Sequence, residues 1–182
     1  MTRKSICVYC GSREGRNPAY AKAAQSLGTA IAEQGHRLVY GAGDVGLMGL
    51  VANAASLAGG NVFGVIPEHL MLREIGKLDI TRFIVTENMH ERKKVMFMNA
   101  DIIVTIPGGA GSLDELYEAL TWKQIGLHDK PILILNTEGY WNPLLELIDH
   151  QIEQGFADPT FSDLFQVFET VPTMMAHIES LK

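Results

Sequence analysis

Short runs of aliphatic residues recur along this chain at positions 6–10, 38–40, 62–66, 83–86, 102–106 and 132–135, with a weaker run at 167–168, and helical patterns separate most of them. Runs this short and this continuously apolar suit strands covered on both faces, whereas a strand with one wet face would alternate apolar and polar residues. Helical spacing is clearest over 18–34, where Asn17-Pro18 is a start signal, Tyr20, Ala23, Ala24, Leu27, Ala30 and Ile31 share a face, and Gly35 is a stop. Further helices are predicted at 46–58, 89–99, 112–125, 141–154 and 173–181. Strand, helix, strand repeats of this kind imply a parallel sheet. The expected fold is α/β: a doubly wound, mostly parallel sheet in a Rossmann-like three-layer domain.

With 182 residues the chain can bury a sizeable core, and no repeat, low-complexity tract or linker divides it, so a single domain over 1–182 is expected. Its 47% hydrophobic and 20% charged residues are ordinary for a globular protein and exclude a disordered or fibrous chain. A formal net charge of −6 argues against nucleic acid as a partner, while an anionic small molecule could still be held locally. Met1-Thr2-Arg3-Lys4 leads directly into the first strand-like run, which is too short for a signal peptide or membrane span; a cytoplasmic protein with no membrane partner is expected. Cys7 and Cys10 have the spacing of a redox or metal pair, but three residues apart on a strand they face opposite ways, which favours buried, reduced thiols.

Parallel sheets of this class bind ligands beyond the carboxyl ends of their strands, where loops run into helix N-termini rich in unpaired N–H groups. Three glycine clusters fall at such places: Cys10-Gly11-Ser12, Gly41-Ala42-Gly43 with Gly46 and Gly49, and Gly108-Gly109-Ala110-Gly111. The middle cluster contains a Gly-x-Gly-x-x-Gly spacing, but it follows the second strand and lacks a well-placed acidic residue some ~20 positions on. A tight turn admitting a ligand or helix to the backbone is the better reading of it. In Pro107-Gly108-Gly109-Ala110-Gly111-Ser112, the proline stops a strand, the glycines permit unusual backbone conformations, and Ser112 is placed to cap the next helix. That describes an anion cradle, with a plain strand-to-helix turn as the alternative. No Gly-Lys-Ser/Thr follows, so it is not a P-loop.

Glu115 has two readings. Ser112-Leu113-Asp114-Glu115 matches a capping box, in which the glutamate returns to the cap residue, and equally places a carboxylate one turn past the cradle, where, with a phosphate in the loop, it would lie near the sugar that carries it. Arg92, in Met89-His90-Glu91-Arg92-Lys93, shares a helical face with Met89, Val95 and Met96, so its guanidinium either reaches solvent or turns to a crevice. The six histidines are scattered without ligand spacing, so no metal site and no metal cofactor is expected. There is no Gly-x-Ser-x-Gly elbow for acyl transfer.

The paired motifs 107–115 and 89–93, with Cys10-Gly11-Ser12, 43–49, Arg73-Glu74-Ile75, Thr121-Trp122 and Gly126-Leu127-His128, resemble the signature of the LONELY GUY (LOG) family of cytokinin-activating phosphoribohydrolases. The resemblance runs from the first strand to about residue 147. It implies hydrolysis of a nucleoside 5′-monophosphate to free base and ribose 5-phosphate without a cofactor, with Arg92 and Glu115 as the catalytic pair. It also implies substrate contacts from Glu74, Lys93, Gly108, Gly109, Ala110, Gly111, Ser112, Leu113, Asp114 and Thr121. Gly11, Ser12 and Gly43, in the other two glycine clusters, are expected to line the same crevice from their place at strand exits. A homodimer with active sites near the subunit interface is implied as well. Ser112 stands where the family usually has threonine, which keeps the hydroxyl, and Ala110 leaves more room beside the loop than the aromatic residue common in plant members.

The chemistry has its own logic. Breaking a ribosyl C–N bond passes through an oxocarbenium-like transition state, which a carboxylate beside the anomeric carbon stabilises while orienting or deprotonating water. Arginine supplies charge and donors to a phosphate or leaving base but is a poor proton donor. An alternative on the same fold is a carrier that binds a nucleotide or cofactor without turning it over.

Overall fold

The computed structural model of the chain describes residues 3–71 and 80–181. Seven strands, β1 (Ser5–Tyr9), β2 (Arg37–Tyr40), β3 (Asn61–Pro67), β4 (Arg82–Thr86), β5 (Ile102–Thr105), β6 (Ile132–Leu135) and β7 (Gln166–Phe168), form one sheet in the order β4-β3-β2-β1-β5-β6-β7. Every neighbouring pair is parallel. Six helices accompany them: α1 (Pro18–Glu33), α2 (Gly46–Leu57), α3 (Met89–Met98), α4 (Ala110–Gln124), α5 (Asn142–Glu153) and α6 (Val171–Ser180).

Alternation along β1 divides the core. Ile6 and Val8 pack with α1, α2 and α6 on one face, while Cys7 and Tyr9 pack with α3, α4 and α5 on the other. The result is the three-layer, doubly wound α/β fold that the aliphatic runs predict. Cys7 and Cys10 are buried free thiols in opposite layers. No helix among the described residues is long and apolar enough to cross a membrane.

The strand order places β1 between β2 and β5. The chain leaves β1 toward one face and β5 toward the other, so the loops after these two strands diverge and open a crevice at the carboxyl edge of the sheet. Its near wall is set by close backbone approaches. A Cβ on Gly28 would stand 2.2 Å from the Val51 carbonyl oxygen, so α1 and α2 touch backbone to backbone. Gly46 has φ of 60° and leaves room for the backbone of Ser12 and Arg13, which a Cβ would approach to 2.3 Å.

Two details differ from the sequence expectations near this crevice. Helix α4 starts at Ala110, not at 112, with Gly109 as its N-cap and no side-chain cap bond. Ser112 is therefore the third residue of the helix. Its hydroxyl instead sits against Gly108, where a Cβ would stand 2.1 Å from Oγ. The glycines at 108, 109 and 111 also owe nothing to left-handed backbone, since none of them has positive φ. Gly108 is small because Ser112 and Gly11 press on it, whereas Gly109 and Gly111 have nothing within 4 Å of an added Cβ and leave open space.

Candidate active site

A cavity of about 560 Å³ opens where the loops after β1 and β5 part. Gly11 and Ser12 form one side, and Gly108, Gly109, Ala110, Gly111, Ser112 and Asp114 form another. Arg92 and Glu115 both line it. So do residues that are not among the contacts expected from the sequence, including Arg13, Tyr20, Met48, Leu70 and Tyr140. Gly43, Lys93, Leu113 and Thr121 do not line it. Glu74 lies outside the described residues.

The cradle is the start of α4. A helix leaves its first N–H groups without intrahelical partners, and among the described residues no backbone acceptor takes those of Ala110, Gly111 or Ser112. Together with the positive end of the helix dipole they favour an anion in the open space over Gly109 and Gly111.

Arg92 comes from the first turn of α3, whose start is fixed by Asn88: its Oδ1 accepts from Glu91 N–H at 3.0 Å. Glu91 reaches back to accept from Glu87 N–H at 2.9 Å, one residue before the N-cap, which ties the preceding chain to the first turn. The Arg92 side chain turns inward and is only 5% exposed. Its Nε donates to the Val65 carbonyl at 3.2 Å and its Nη2 to the Gly41 carbonyl at 2.7 Å. The fork is thus clamped between the ends of β2 and β3.

Glu115 lies on the inner face of α4, one turn after Ser112. Because Ser112 is inside the helix, a capping box between the two is excluded. Burial pushes the Glu115 carboxyl up to about 7; the Arg92 charge works against this, Asp114 adds to it, Lys93 opposes it and Glu118 adds to it. Arg92 and Glu115 therefore share one cavity and feel each other's charge.

Lys93 is the next residue of α3 and points to α4. Its ammonium donates to Asp114 and Glu118, at 2.9 Å each. Burial works to lower its pKa, but the hydrogen bonds to Glu118 and Asp114 outweigh it and raise the value above the ordinary one. Cys10 also lines the cavity, yet burial and then the Glu115 charge push its thiol far above the ordinary range, which leaves no thiolate nucleophile. Among the described residues no group of three or more His, Cys, Asp and Glu side chains is placed to hold a metal ion.

Comparison with known proteins bears on the family of the chain. A family model described as possible lysine decarboxylase matches residues 48–178. The cytokinin riboside 5′-monophosphate phosphoribohydrolase LOG1 of Arabidopsis thaliana is 46% identical over 157 residues, which cover 86% of this chain and 74% of that protein. The phosphoribohydrolase LOG3 of the same plant is 40% identical over 97% of this chain and 82% of its own length. Among solved structures, the Moco carrier protein from Chlamydomonas reinhardtii superposes with a TM-score of 0.73 at 23% identity, over 98% of this chain and 97% of that one, a likeness of fold alone. On the match across 48–178 and on identities of this size over most of its length, the chain belongs to the LOG family.

Proposed function

We propose that this chain is a phosphoribohydrolase that cleaves the N-glycosidic bond of a nucleoside 5′-monophosphate, a cytokinin riboside 5′-monophosphate or AMP, to free base and ribose 5-phosphate. One observation carries the reading: a single cavity holds the anion-seeking start of α4, the Glu115 carboxyl and the Arg92 guanidinium. The names of the relatives, at 40–46% identity, support the same reaction.

In this reading the phosphate sits over Gly109 and Gly111 and anchors the ribose, so that binding energy remote from the reacting bond positions it. Glu115, ionised, stabilises the positive charge growing at the anomeric carbon and orients the attacking water. Arg92 is held by two carbonyls and serves as a fixed positive charge, favouring the ionised form of Glu115 and meeting the charge that develops on the departing base. Apolar side chains of Leu47, Met48, Leu70 and Met89 on the cavity wall suit the base and an N6 substituent. Lys93 ties Asp114 and Glu118 together and so fixes α4 against α3. Pyridoxal-type decarboxylation needs a lysine free to form a Schiff base. Lys93 is instead engaged by two carboxylates.

The reading includes a cytoplasmic homodimer. Met98, Ile125 and Leu127 are each more than 60% exposed at the ends of α3 and α4, which is the kind of apolar surface a second copy would cover. Thr121 is exposed on α4 and would reach a substrate only across such an interface. The whole chain acts as one nucleotide-binding unit.

The test is base release from AMP, GMP, CMP and isopentenyl-AMP under identical conditions, followed by chromatography. Release from AMP or isopentenyl-AMP is expected. Binding of these nucleotides without any release would replace the hydrolase by a carrier. Preference for AMP over isopentenyl-AMP would make it a purine nucleotide nucleosidase with no cytokinin role.

A further inference from the structure

An anion cradle has to show its N–H groups and hide its carbonyl oxygens, because a carbonyl turned into the site repels what the N–H groups attract. Gly108 and Gly109 make this hard, since adjacent glycines give the peptide between them little steric bias. Three successive carbonyls are nevertheless held. Pro107 O accepts from Gly11 N–H at 3.0 Å and Gly109 O from Leu113 N–H at 3.1 Å. Between them, Gly108 O accepts from the Tyr140 hydroxyl at 2.5 Å. The outer two are backbone bonds that the loop geometry makes whatever the side chains; the middle one depends on a single phenol.

That phenol is itself fixed. The Tyr140 ring meets Tyr20 edge to face at 5.3 Å and Trp141 at 4.7 Å. The turn that carries it is knotted around Asn136, whose Oδ1 accepts from Trp141 N–H at 2.7 Å and whose Nδ2 donates to Asn142 at 2.9 Å. Glu138 and Gly139, with φ of 54° and 67°, swing the chain back toward the cavity. A left-handed glutamate is uncommon and persists only where its surroundings demand the turn.

We propose that Tyr140 is a positioning residue for the reaction: its hydroxyl keeps the Gly108 carbonyl out of the phosphate subsite and so keeps the first N–H groups of α4 aimed at the substrate's phosphate. The inference rests on the proposed function in placing a sugar phosphate over this loop. Since the phosphate is remote from the bond broken, loss of the hydroxyl weakens substrate and product alike and shows in KM more than in kcat.

Tyr140→Phe keeps both ring contacts and removes the donor. Its KM for AMP and the Kd of ribose 5-phosphate, measured by calorimetry, are each expected to rise about tenfold, the loss of one hydrogen bond to a part-buried carbonyl. The kcat is expected to stay within about threefold, and any release of base from adenosine, which has no phosphate, to stay unchanged. A KM and a Kd both within twofold of wild type would overturn the proposal, as would a loss seen equally with adenosine, which marks a merely structural role. Wild-type protein that binds ribose 5-phosphate but releases no base would end the hydrolase reading and leave the calorimetric comparison to judge Tyr140. Should Tyr140→Phe fail to fold, 4-fluorophenylalanine at 140 fills the space of the phenol and has no O–H to donate. The same rise in the Kd of ribose 5-phosphate is expected of that protein, and a Kd within twofold of wild type would overturn the proposal.

Discussion

Nη2 of Arg92 donates to the carbonyl oxygen of Gly41 at 2.7 Å, and the same nitrogen lies 1.9 Å from where a Cβ on residue 41 would stand. The glycine is a slot for the guanidinium. In the sequence, Gly41 begins a spacing that looks like a dinucleotide fingerprint, but the group its missing side chain admits is an arginine of the same chain. Gly41→Ala should therefore push the guanidinium of Arg92 out of the slot: a side-chain end moves and the backbone stays, at the cost of the donors that the Gly41 and Val65 carbonyls lose. We expect kcat/KM for base release to fall about 100-fold, equivalent to ~2.7 kcal/mol, with Tm changed by only a few degrees. Activity within threefold of wild type would show that the clamped position of Arg92 is unimportant.

How far the sequence reaches is clear from this neighbourhood. Loops after β1 and β5 were readable as the ligand edge because glycine clusters at strand exits have one dominant use in parallel sheets. The reason for the glycines was not readable: those at 108, 109 and 111 provide space, not left-handed backbone, and only the packing of Ser112 against Gly108 reveals it. For Arg92 the helical spacing leaves solvent and crevice both open, and the structure takes the crevice: α3 buries Arg92 and Lys93 along with Met96 where an ordinary amphipathic helix would bury aliphatics. Tyr140 was invisible because its partner Gly108 is 32 residues away and sequence spacing says nothing about a contact across β6. Glu74, read from the family resemblance, lies outside the described residues.

The charge on Glu115 sets the expected pH response. With its carboxyl at about 7 and ionisation needed for catalysis, kcat/KM should climb about tenfold per pH unit below neutrality and level off above it. Arg92 holds that value down. In Arg92→Met the rise should therefore move to higher pH, besides any loss of rate. Ionisation of the substrate phosphate, near pH ~6, is common to both proteins and cannot produce a difference between them. A profile whose midpoint is the same in both would separate the two residues electrostatically.

The same carboxyl makes the site a local weakness in the fold. Its folded value of about 7 stands above the ordinary 4.5, so the native state holds the proton more tightly than the unfolded chain does. The stability this contributes is fully present below about 4.5, is lost as pH rises through 7, and above that leaves a carboxylate in a cavity that solvates it poorly. Glutamine at 115 keeps the shape and has no charge to bury. Glu115→Gln should leave Tm unchanged at pH 4.5 and raise it by about 5 °C at pH 8, corresponding to ~2 kcal/mol for a half-buried group in a protein of this size. Its base release should fall by at least about a thousandfold, while AMP still binds. Thermal scans at the two pH values and calorimetry with AMP check this. A Tm gain of equal size at both pH values would mean that the charge on Glu115 is not what the fold resists.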